Sequence, residues 1–145
     1  MKKRILTILI IATIAFAWIH SAMPGEVSSD ESGFVFELLA PLLKLILPDS
    51  IVTEYLIRKL AHFSEYAVLG VELALYVSFV YEISLRNFAR ILYFGATVAF
   101  IDETIQIFSG RGPAIADVWI DIAGCTAGAG IVCLINIVRH RSRKK

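Results

Sequence analysis

Apolar residues gather in four long runs, separated by short polar breaks. The first run, from about Ile5 to Met23, holds no formal charge and follows Lys2, Lys3 and Arg4. The others run from about Leu60 to Tyr81, Phe88 to Phe108 and Ile115 to Val138. At 1.5 Å per helical residue, runs of this size reach across about 30 Å of hydrocarbon. The pattern predicts an all-α integral membrane protein of four transmembrane helices in a single domain over 1–145. The links Glu82 to Asn87 and Ser109 to Ala114 are short, which makes neighbouring spans antiparallel. A leader peptide has the look of the first run, but further spans follow, so an uncleaved anchor is expected.

Between spans one and two the pattern changes. Pro24 to Gly33 is rich in Ser, Glu and Asp and reads as an exposed loop. Phe34 to Leu47 is too short to span and contains Glu37, Pro41 and Lys44. Proline breaks or kinks a helix, so a short amphipathic helical segment, at the interface or against the bundle, is expected here. Asp49 or Ser50 then offers a cap to a helix beginning near Ile51.

Composition agrees: 57% of residues are hydrophobic and mean hydropathy is +0.72, above the range of soluble domains. The net charge of +1 implies no nucleic-acid partner, yet the charges are sorted. Lys2, Lys3, Arg4, Arg86, Arg90, Arg139, Arg141, Arg143, Lys144 and Lys145 fall on one side of the four spans. Only Lys44, Arg58, Lys59 and Arg111 fall on the other. The positive-inside rule then puts both termini in the cytoplasm of a multi-pass membrane protein. Cys125 and Cys133, about 12 Å apart if helical, are too distant for a disulfide and read as packing residues.

Several ionisable residues interrupt the apolar runs. His62 and Glu65 open span two, Asp102 and Glu103 close span three, and Asp117 and Asp121 open span four. An acidic residue at the bilayer centre costs about 2.5–3.5 kcal/mol, so such groups belong near a span end, in pairs, or around a wet cavity. Antiparallel connectivity brings all three sets to one layer, the outer one. Lys59, His62 and Tyr66 share a helical face, as do Asp102 with Gln106 and Asp117 with Asp121. Gly124 and Gly128 extend the last stripe, so the acidic face of span four is also expected to pack closely. Arg111, in the tight loop, is the cation expected over the acids. Glu72 lies about 15 Å below His62, where it reads as a hydrogen-bonded helix contact more readily than as a cavity floor.

These segments resemble the VanZ-like family, bacterial membrane proteins named after one associated with teicoplanin resistance. The likeness rests on Arg58-Lys59-Leu60-Ala61-His62-Phe63-Ser64-Glu65-Tyr66 with Leu69-Gly70. It continues through Asp102-Glu103 with Gln106, Gly110-Arg111, and Asp117 with Asp121 and Gly124. His20-Ser21-Ala22-Met23-Pro24 with Ser28, Ser29 and Ser32 looks like the family's first loop. Ser109 stands where the family's turn has proline, and Glu72 and the cysteines match nothing in its pattern. The resemblance implies a membrane location and a role in glycopeptide resistance, without naming a reaction.

Three uses of the layer follow. A binding protein would take a lipid-linked envelope molecule, or alter access of a glycopeptide, through Lys59, His62, Glu65, Tyr66, Asp102, Glu103, Gln106, Arg111, Asp117 and Asp121. An intramembrane enzyme would draw acid–base chemistry from His62, Glu65, Glu103 and Asp117. A four-span carrier is the third, against which stands the lack of charge in the cytoplasmic halves of the spans. The same residues also suit a network that only locks helices together. With no HExxH or CxxC motif, no metal and no cofactor is assigned, although an oxygen-rich set with one imidazole suits a divalent cation. The sequence leaves the oligomeric state open.

Overall fold

The computed structural model describes residues 2–81, 84–110 and 114–142, with the backbone alone for Ser29 and 140–142. The described residues form five helices: α1 (Lys2–Ser21), α2 (Gly25–Leu43), α3 (Glu54–Val80), α4 (Leu85–Phe108) and α5 (Ile115–Ser142). There is no strand among the described residues. α1, α3, α4 and α5 are long and apolar enough to cross a membrane, and they cover the four spans read from the sequence.

Local chemistry sets the helix ends. Thr53 caps α3, its Oγ1 accepting from the Leu56 N–H at 3.2 Å, with Glu54 in the first turn. Ser84 caps α4 in the same way through the Asn87 N–H, at 3.3 Å. Each supplies an acceptor to an N–H that has no partner within its helix. α4 stops at Phe108, and Gly110 follows in the left-handed region at φ 72°, a conformation that costs glycine nothing.

The segment between spans one and two departs from its expected form. Residues 25–33 are helical, not a loop, and α2 is a single helix of 19 residues, not a short segment beginning at Phe34. The Ser28 N–H donates to the Pro24 carbonyl at 3.1 Å and closes the first turn. Glu26 in that turn meets the positive end of the helix dipole. Pro41 is accommodated because it lies in the last turn: the helix ends two residues later, so its missing N–H removes a bond only near the terminus. The cap of α3 is Thr53, which displaces Asp49 and Ser50 from that role.

α3 and α5 are the most closely packed pair in the bundle, and glycine makes this so. A Cβ on Gly124 would collide with the Phe63 carbonyl, one on Gly128 with the Ala67 carbonyl, and one on Gly70 with the Cys125 carbonyl. The two backbones touch where a side chain would hold them apart. The acidic stripe of α5 is therefore its packing face, as expected. Cys125 is fully buried in the core beside Leu69, Val98, Ala99 and Ala129. Most other large apolar side chains point outward, including Ile8, Phe16, Tyr93, Phe100 and Leu134. A soluble protein rarely exposes so much apolar surface, whereas a bundle in lipid is built this way.

Candidate functional site

The end of the bundle formed by the C-termini of α1 and α4 and the N-termini of α3 and α5 is polar inside. His62 from α3, Asp102 from α4 and Asp121 from α5 converge there, with one ligand-type atom of each within 4.8 Å of the others. Asp102 and Asp121 are both 0% exposed and His62 is 4% exposed. His62 Nδ1 stands 3.6 Å from Asp121 Oδ1. Asp117, Glu103, Asp102 and Glu65 all lie within electrostatic reach of Asp121. The three polar groups of the sequence thus form one cluster.

Asp102 is held from two helices. Ser21 Oγ donates to its Oδ2 at 2.8 Å, and Gln106 Nε2 donates to the same oxygen at 3.1 Å. Ser109 Oγ donates to the Ser21 carbonyl at 2.9 Å and ties the ends of α1 and α4 together. Beside this, Lys59 pairs with Asp117 and also lies over the Tyr55 ring, 4.7 Å from its centre. Glu103 accepts from the Ala114 N–H at the head of α5. Lys59, His62, Glu65, Tyr66, Asp102, Glu103, Gln106, Asp117 and Asp121 therefore all belong to one end of the bundle. Arg111 lies outside the described residues, and the described cation on the acids is Lys59.

α1 supplies two participants that the polar count along spans two to four does not include. Ser21 orients Asp102, and His20 bridges Glu31 on α2 at 3.3 Å and Glu65 on α3 at 3.6 Å. The His20 ring stacks near that of His62, with centres 6.5 Å apart. The signal for both was a histidine and a serine closing an otherwise apolar run. Glu72 behaves as the helix contact expected of it, accepting from Thr13 Oγ1 at 3.1 Å.

Above the buried acids opens a cavity of about 240 Å³. Arg58, Lys59, His62, Tyr55, Gln106 and Asp117 are among its lining residues. Lys59 at its wall is paired with Asp117, so the group that suits an anion there is Arg58, whose guanidinium matches a phosphate or carboxylate through paired donors.

No curated protein and no solved structure gives a match to this chain. The VanZ/LLP1 family pattern matches residues 6–136, which takes in α1 to α5 and every described member of the polar cluster, so the chain belongs to the VanZ/LLP1 family.

Proposed function

We propose that this protein works at the extracytoplasmic face of a bacterial cell membrane, where the cavity binds the anionic headgroup of a lipid-linked envelope molecule. By holding such a molecule it would alter the access of a glycopeptide such as teicoplanin to its target. The observation that carries this reading is the cavity itself, where Arg58 and Lys59 face the space above a buried acidic cluster. Family membership supports it, as does the sorting of Lys and Arg between the two sides of the membrane, which favours cytoplasmic termini and an outward-facing cavity. The membrane itself is the second partner, given the four apolar helices.

A second reading makes the same cavity an active site. The approach of His62 to Asp121, at 3.6 Å, is the arrangement an acid–base pair would take toward a substrate in the cavity.

The test expresses wild type, Lys59→Met and Glu103→Gln in a sensitive Gram-positive host. Teicoplanin and vancomycin susceptibility are measured together with membrane protein levels. Protection by wild type, lost in variants that still accumulate, is the expected result. No protection by wild type refutes the resistance role. Variants that vanish from the membrane make the cluster a helix lock.

A further inference from the structure

We propose that His62, Asp102 and Asp121 form a binding site for one divalent transition-metal ion such as Zn²⁺, with the fourth position left to water. The starting point is a set of buried oxygens without a hydrogen-bond donor. Asp102 Oδ2 accepts from Ser21 and Gln106, but Asp102 Oδ1 is buried with no hydrogen-bond donor. Both Asp121 carboxylate oxygens are buried without a donor, and so is the Tyr66 hydroxyl. Tyr66 is 1% exposed and within electrostatic reach of both Asp102 and Asp121. Folded proteins leave few buried polar atoms unsatisfied. Three such carboxylate oxygens on Asp102 and Asp121, around one imidazole, call for a common partner.

Charge narrows the partner. Two buried carboxylates next to hydrocarbon need protons or compensating positive charge. Lys59, the nearest described lysine, is already paired with Asp117. A water molecule would satisfy some oxygens and leave the charge. A divalent cation does both, making the site neutral with two aspartates.

Geometry and donor type fit as well. Ligands at about 2.0–2.1 Å on a tetrahedral ion stand roughly 3.4 Å apart. His62 and Asp121 are already 3.6 Å apart, and all three donors fall within 4.8 Å. Closing the widest separation takes about 1.4 Å, within the range of side-chain torsions. One imidazole nitrogen with carboxylate oxygens suits Zn²⁺ or Mn²⁺ better than Mg²⁺, which prefers all-oxygen octahedra with several waters. Ser21 and Gln106 already orient Asp102 from behind, as outer partners of metal ligands do. The ion would join α3, α4 and α5 at one point. This inference is independent of the envelope reading, because metal binding is measured without any glycopeptide.

The full chain, purified in detergent and stripped with a chelator, is titrated with Zn²⁺ and Co²⁺, with Mg²⁺ as control. One equivalent of Zn²⁺ should remain after dialysis and raise the unfolding midpoint in a concentration-dependent way. Co²⁺ should give visible d–d bands. Asp121→Asn should lose this binding, and Ser21→Ala should weaken it about 10–100-fold. Lys59→Met should keep it. Wild type that binds no stoichiometric Zn²⁺ and shows no midpoint shift overturns the proposal, whatever the variants do. Binding that Asp121→Asn and His62→Gln both retain also overturns it.

Discussion

The two halves of the bundle are held together differently. Toward the ends of α1 and α4, the helices meet through Ser21, His62, Asp102, Gln106 and Asp121, all buried. Toward the other end they meet through Ala74, Ile91 and Val132, with Glu72 and Thr13 as a polar contact between α1 and α3. Both halves are built from the same helices. In the apolar half, close packing and the Thr13–Glu72 hydrogen bond join the described residues, where the other half gathers several carboxylates, two histidines and a lysine. The asymmetry fits the proposed cavity site, and a helix lock at the polar end is what the variants below test.

The comparison can be broken at the glycine seam first. Gly128→Leu forces a side chain against the Ala67 backbone. Even one added methyl in a tight core costs about 1–3 kcal/mol, so the leucine variant should disappear from the membrane fraction on quantitative blotting. A normal level would show that α3 and α5 do not touch there. A smaller effect is expected at the polar end. Lys59→Met leaves Asp117 without its described cation, at a cost of about 1.5–3 kcal/mol for a partly buried charged hydrogen bond. A lower unfolding midpoint in detergent should report it, with Lys59→Met,Asp117→Leu recovering much of the loss. The smallest effect belongs to the apolar half. Glu72→Gln keeps an acceptor for Thr13 and should shift stability by less than about 1 kcal/mol. A loss as large as that of Lys59→Met would remove the contrast between the halves.

Much of this was legible in the sequence because a bilayer restricts the choices. Four apolar runs became four helices, and antiparallel connectivity alone gathered His62, Asp102 and Asp121 at one end. Gly124 and Gly128 followed the acidic stripe, and the packing face came with them. What was not legible depended on weaker local signals. The run Pro24 to Gly33 has a loop's composition, yet Pro24 and Glu26 start a helix whose stability comes from packing on α3. Ser21 looks like the end of an apolar run until α4 brings Asp102 to it. Nor does spacing single out His62, Asp102 and Asp121 from six acids and a histidine. That selection needed the distances between helices.

The bond from Ser21 to Asp102 spans 81 residues of chain, and the Ser109 bond to the Ser21 carbonyl spans 88. During synthesis, α1 must therefore reside in the membrane while α2 and α3 are still being made, before its acceptor on α4 exists. Asp121 arrives later again. The polar end can close only after nearly all the chain has been inserted. Until then His62 and Asp102 must be tolerated by the insertion machinery or by water at the membrane surface. Completion of the site thus waits on α5, and a chain arrested before that helix would lack Asp117 and Asp121.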